Sequence, residues 1–263
     1  MGKIVFENTE EILEYLKSGV PEGSHGKTYY NPSFCDKDYQ TCVEFLKKGW
    51  NEGAEKSSEI LGSLETKLSE TTVEKQDYQS DVSGDFFDVG VFLTGNPECW
   101  FNPVTVPTKQ EEVKIKVNIS SPYYVTIEQI YNRGACVLAV IDRLREKYFV
   151  NLEIIMSIHR VNTTKKDKDI DIVLKIDTNN LYSKSMLAFC LVHSGYLRRI
   201  CFAIMEKHFG KNHLDRYGKT RDIDETETAI YFQRIKHNSF LTVEQSASQV
   251  QEIIENYNAN TEN

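Results

Sequence analysis

The chain has 263 residues, 31 Lys+Arg against 39 Asp+Glu, and a formal net charge of −8. That length lies near the upper limit for one hydrophobic core, roughly 250–300 residues, which fits one compact domain with an attached subdomain. A composition 40% hydrophobic and 27% charged excludes a wholly disordered chain, and the acidic balance argues against a protein that coats duplex DNA.

The N-terminal region reads as helical. Asn8 followed by Glu11 has the form of an N-cap with an acidic reach-back, ahead of Ile12, Leu13 and Leu16 at helical spacing. Gly19 and Pro21 stop this helix, a loop carrying Tyr29 and Tyr30 follows, and further helices are expected over residues 38–48, ended by Gly49, and 52–68. From residue 72 the period changes to two: residues 73–80 read as an exposed strand, 86–93 as an apolar, buried stretch, and 99–106 as extended, with Pro97, Pro103 and Pro107 confining it to an edge. Residues 113–119 alternate Val113, Ile115, Val117 and Ile119 with polar residues, and Thr126 with Gln129 forms a capping box that opens a helix to about 147. Residues 151–158 form a continuous apolar strand, 170–176 alternate and pair with it antiparallel, and one long helix covers about 183–208. A strand at 229–235 and a helix opened by the Thr242/Gln245 capping box, ending near Tyr257, complete the chain.

The order from Val113 is therefore β-α-β-β-α-β-α, which predicts a three-layer α/β fold with a mostly parallel, Rossmann-like sheet. The expected organisation is a helical region over 1–70, an α/β domain over 71–258 with its core at 113–240, and a frayed tail at 259–263. The six cysteines form no CxxC pair, so reduced, mostly buried thiols are expected rather than bridges. No convergent set of ligands points to a metal, and no cofactor is called for. With no apolar run near the ~18–20 residues of a membrane span and no basic-then-apolar start, no membrane partner is expected, and the protein is placed in the cytoplasm.

Open α/β sheets bind ligands beyond the carboxyl ends of their strands. The first such end here is Asn118-Ile119-Ser120-Ser121-Pro122-Tyr123-Tyr124. At this point the chain resembles von Willebrand factor A-type domains, which share the element order and carry an Asp-x-Ser-x-Ser metal motif after the first strand. The resemblance is degenerate: Asn118 falls at the Asp, Ser120 at the first Ser and Pro122 at the second. It implies the fold without the metal, because the anionic ligand is absent. A longer resemblance runs through Gly49-Trp50-Asn51-Glu52-Gly53, through Asp88-Val89-Gly90 to Pro97-Glu98-Cys99, through Asn132-Arg133-Gly134-Ala135, and through Leu187-Ala188-Phe189, His193, Leu197-Arg198-Arg199 and Glu206. These blocks resemble those of an uncharacterised family encoded by bacteriophages and mobile elements. The resemblance implies a role in the cytoplasm of an infected host cell and carries no activity with it.

The enzyme signatures are missing: there is no GxxxxGK[ST], GxGxxG, HExxH or GxSxG. Arg133 is expected to pair with Asp85, Asp88 or Glu98, and Gly134 to let its helix approach the sheet. His193 reads as a structural histidine, Asp167, Asp169 and Asp171 as solvated, and Arg198 and Arg199 as pointing about 100° apart on their helix. The leading expectation is a non-enzymatic adaptor that binds a protein or nucleoprotein partner through Asn118, Ser120, Ser121, Tyr123, Tyr124, Arg133, Arg198 and Arg199. A second is a factor for phage transcription or replication that binds single-stranded nucleic acid by stacking on tyrosines in loops. A third is an enzyme with an unfamiliar site near Glu98, Arg133 and His193.

Overall fold

The structure, a computed structural model, describes residues 2–20, 34–64, 74–107, 112–145, 148–160, 168–178, 183–209, 219–225, 229–236 and 238–261. Its class is α/β, with a mostly parallel central sheet, consistent with a three-layer arrangement. In chain order the elements are β1 (Gly2–Phe6), α1 (Thr9–Lys17), α2 (Tyr39–Lys48), α3 (Asn51–Leu64), β2 (Glu74–Asp81), β3 (Phe86–Phe87), α4 (Val89–Leu93) and β4 (Trp100–Pro107). They continue with β5 (Glu112–Asn118), α5 (Ile127–Arg145), β6 (Phe149–Arg160), β7 (Lys168–Asp177), α6 (Lys184–Val192), a π-helical segment (Tyr196–Cys201), α7 (Phe202–Phe209), β8 (Lys219–Thr220), β9 (Ile230–Phe232) and α8 (Val243–Thr261).

The helix starts follow from local chemistry. Asn8 Oδ1 accepts from Glu11 N at 2.9 Å, while Glu7 N donates to Glu11 Oε2 at 2.8 Å. At the head of α5, Gln129 N donates to Thr126 Oγ1 at 3.2 Å and Thr126 N to Gln129 Oε1 at 3.1 Å. Each pair satisfies two donors that a helix start leaves open.

The main sheet runs β1-β7-β6-β5-β9, with β8 pairing on β6. β1/β7, β6/β5 and β5/β9 are parallel, and β6/β7 is antiparallel as expected. Alternation sorts the two faces. Val113, Ile115 and Val117 of β5, Leu152, Ile154, Met156 and Ile158 of β6, and Ile170, Ile172 and Leu174 of β7 join one core with the helices. The opposite face carries a small cluster of Ile155 and Val173, covered by Ile223. All six cysteines are free and buried.

Four expectations change. The N-terminal region contributes a strand, β1, whose partner Ile170–Leu174 lies far along the chain. The helix expected over 183–208 is broken: His193 takes an extended ψ of 128°, and the halves bend by 70°. The terminal helix runs to Thr261, so residues 259–261 are helical rather than frayed. Finally, 86–93 is not buried: Phe86, Val89, Phe92 and Leu93 are exposed, because β2, β4 and β3 form a separate three-stranded sheet that leaves this stretch at its surface. In that sheet β4 pairs with β2 throughout but with β3 only at Trp100 and Phe101. Pro103 and Pro107 thus fall where one side of β4 has no strand partner among the described residues, which suits a residue without an N–H.

Among the described residues no single helix is long and apolar enough to cross a membrane, although the bent pair of α6 with the segment from Tyr196 to Phe209 passes by length and composition. Leu187 to Val192 of that pair are buried in the core.

Candidate functional site

The neighbours of β5 on its two sides, β6 and β9, are reached in different ways: β6 directly through α5, and β9 only after β7 and the helices that follow it. Such a switch in strand order opens a crevice at the carboxyl ends of the strands. A cavity of about 660 Å³ lies there. One wall is the loop after β5, with Ser120, Ser121, Pro122, Tyr123 and Tyr124; Met156 and Ile158 of β6 line it as well. Leu197 and Arg198 of the π-helical segment, Phe202 and Phe34 form another wall, and Lys219, Thr220 and Arg234 complete it.

The loop is anchored by its first polar residues. Asn118 Nδ2 donates to the Arg221 carbonyl at 2.8 Å and its Oδ1 accepts from Ser120 N at 3.1 Å. Ser120 Oγ donates to the Ser157 carbonyl at 2.9 Å and accepts from Ser157 N at 2.7 Å, tying the end of β5 to β6. Both side chains are buried and bonded to backbone groups on each side, so they set the loop. Ser121 Oγ is buried and has no hydrogen-bond partner among the described residues, which is costly unless something completes it. Tyr123 is 85% exposed, and its ring centroid lies 5.5 Å from that of Tyr124, edge to face.

Arg198 comes from the π-helical segment, a form that concentrates at functional sites. Its Nη2 donates to the Val125 carbonyl at 2.8 Å and its Nη1 to the Phe34 carbonyl. Its guanidinium stands 4.3 Å from the Phe34 ring centroid. Burial pushes its pKa down to about 10, so it is a cation at neutral pH, fixed by neutral carbonyls. Arg234 adds a second charge, shared with Asp222 at 3.2 Å, and Lys219 a third. No Asp or Glu is among the described residues that line the cavity.

Five of the sequence-predicted residues, Ser120, Ser121, Tyr123, Tyr124 and Arg198, thus meet in one cavity. The others do not. Asn118 holds the loop from beneath. Arg199 points elsewhere, its Nε donating to the Lys37 carbonyl at 3.0 Å. Arg133 is buried, with Nη2 donating at 2.9 Å to the carbonyls of Phe232 and Gln233 and its guanidinium 5.7 Å from the Phe240 ring. None of its described bonds goes to Asp85, Asp88 or Glu98, which lie in the connections of the other sheet, whereas the carbonyls at the end of β9 lie within its reach. Gly134 likewise serves a helix, not the sheet: a Cβ there would lie 2.2 Å from the Leu191 carbonyl oxygen. Asp171 is buried rather than solvated, accepting from Ser157 Oγ at 2.6 Å and facing Arg221 at 3.3 Å. Tyr29, Tyr30 and Asp167 lie outside the described residues.

Phe34, Lys219 and Arg234 are among the lining residues that sequence reasoning misses. Each comes from a different stretch of chain, and only the strand order brings them together. The residues of the enzyme reading share no partner among the described ones. The Glu98 backbone is fixed by Asn96 and Arg133 by carbonyls. His193 is buried, its Nδ1 accepting from Gly195 N at 2.9 Å and its Nε2 standing 3.6 Å from Asp36. No cluster of three or more His, Cys, Asp or Glu suited to a metal ion occurs among the described residues.

Residues 2–260 match the family described as Domain of unknown function (DUF7192), and the chain belongs to that family. No curated protein and no solved structure matches it.

Proposed function

We propose that this DUF7192 protein is a non-enzymatic binding protein that holds single-stranded nucleic acid, free or within a nucleoprotein, in the cavity at the carboxyl ends of β5, β6 and β9. The observation that carries this reading is the lining of that cavity: aromatic rings and three cations with no carboxylate among the described residues, in a chain whose net charge is −8. Bases are flat and apolar on their faces, and phosphates are anionic, so this pairing of side chains suits both parts of a nucleotide. Tyr123 and Tyr124 offer the stacking faces at the mouth. Ser121 Oγ is available to a base edge or a phosphate oxygen. Arg198, pre-oriented by two carbonyls, supplies charge without the entropy of ordering a free side chain.

A duplex does not present its base faces, which favours single strands. The resemblance to phage- and mobile-element-encoded proteins supports a role inside an infected cell, in transcription or replication, where single strands are exposed. The test is fluorescence anisotropy of labelled single-stranded DNA, RNA and duplex DNA at low and at moderate salt. The reading expects binding to a single-stranded probe that weakens with salt and is lost when Tyr123 and Tyr124 are both changed to Ala. Equal binding to duplex DNA, or no binding to any probe at micromolar protein, overturns it.

A further inference from the structure

The segment from 76 to 107 contains Asp77, Asp81, Asp85, Asp88 and Glu98 and no Lys, Arg or His. Asp81, Asp85, Asp88 and Glu98 are exposed, and none forms an ion pair among the described residues. Amid them lies an apolar surface. β3 pairs with β4 so that Phe87 stands opposite Trp100 on one face of the small sheet. Their ring centroids are 4.8 Å apart, and Phe92 of α4 closes on Phe87 at 5.3 Å. Val89, Phe92 and Leu93 are spaced i, i+3, i+4 and so share one side of α4. Phe92 is 54% and Leu93 77% exposed. Apolar side chains clustered at the surface of a folded protein mark an interaction site.

Charge decides which partner fits. A second copy would set one such acidic face against another, and nucleic acid or an anionic membrane would be repelled in the same way. We infer that the surface formed by Phe87, Phe92, Leu93 and Trp100 docks an amphipathic helical segment of another protein, one whose apolar side is flanked by Lys or Arg. The apolar side chains of that segment cover the rings, and its cations meet Asp81, Asp85 and Glu98. This surface carries the opposite charge to the strand-end cavity, so one chain would hold two partners of different chemistry.

The probes are three labelled helical peptides: one with a leucine stripe flanked by lysines, one with the same stripe flanked by glutamates, and one with the lysines but serines in place of the leucines. Anisotropy on the full chain is expected to show binding of the first alone, weakened by salt. Phe92→Ser with Leu93→Ser should weaken it at least tenfold, and Asp81→Asn, Asp85→Asn and Glu98→Gln together should flatten its salt dependence. The exposure of Phe92 and Leu93 predicts at most a small fall in the thermal midpoint. Should that variant unfold, the wild-type amide spectrum serves instead, with shifts on adding the first peptide expected within residues 82–101. Equal binding of the serine peptide, binding of the glutamate peptide, shifts elsewhere, or no binding at all overturns the inference. So does a self-associated species in sedimentation that the Phe92/Leu93 variant dissolves, which would make a second copy the occupant.

Discussion

The guanidinium of Arg198 stands 4.3 Å from the ring centroid of Phe34 while donating to the carbonyls of both Phe34 and Val125. One side chain thereby ties the approach to α2 to the loop after β5, across the cavity wall. A lysine has neither the fork nor the plane to repeat this. Arg198→Lys should therefore leave a buried carbonyl without its donor and cost roughly 1–3 kcal/mol of unfolding free energy, measured by urea denaturation, as well as weakening single-strand binding.

Tyr123 separates binding from folding. At 85% exposure its ring contributes little to the core, and Tyr123→Ala should change stability by less than about 0.5 kcal/mol. If its ring stacks on a base, the same change should reduce single-strand affinity by about tenfold, within the range of roughly 1–3 kcal/mol for one stacked base. Denaturation and anisotropy on one sample of the variant give both values.

Gly134 is where α5 crosses α6. A Cβ would meet the Leu191 carbonyl oxygen at 2.2 Å and Val192 Cα at 2.6 Å, both backbone atoms that cannot rotate aside. Gly134→Ala should destabilise the protein by at least about 1–3 kcal/mol, despite alanine's better helix propensity. Thermal unfolding decides it: a raised midpoint would mean that the two helices do not approach as described.

The chain should lose stability on mild acidification through His193. Burial pushes its pKa down to about 4, with Lys37 acting in the same direction and Asp36 and Glu52 pulling the other way. An unfolded histidine titrates near 6.5. Between those values the unfolded chain binds a proton that the folded one refuses, so stability is full above about pH 6.5 and falls as the pH drops toward about 4, by up to about 3 kcal/mol. Urea denaturation of the wild type and of His193→Gln across that window should give curves that converge as the pH falls. Parallel curves would contradict the buried neutral histidine.

Features governed by near neighbours are legible in the sequence. The caps at Asn8, Thr126 and Thr242, the alternation of β5 and the loop Ser120–Tyr124 all rest on residues a few positions apart, and each stands where its pattern predicts. What depends on distant backbone is not legible. β1 is five residues long, and what makes it a strand is β7. The break at His193 has no proline to announce it; beyond it, the next helical turns let Arg198 and Arg199 reach the carbonyls of Phe34 and Lys37. Arg133 is held by carbonyls, which any sequence supplies. The stretch 86–93 has the composition of a core and the position of a surface, and composition alone does not say against what it packs.

Photo-crosslinking tests the strand-end site most directly. A single-stranded oligonucleotide carrying a photoreactive thymine analogue, irradiated with the wild-type protein and digested, should leave its adduct on the peptide that holds Tyr123 and Tyr124, and lose it when both are changed to Ala. Adducts confined to the acidic sheet around Phe87 and Trp100, or undiminished in that variant, would contradict a nucleic-acid site at the carboxyl ends of the strands.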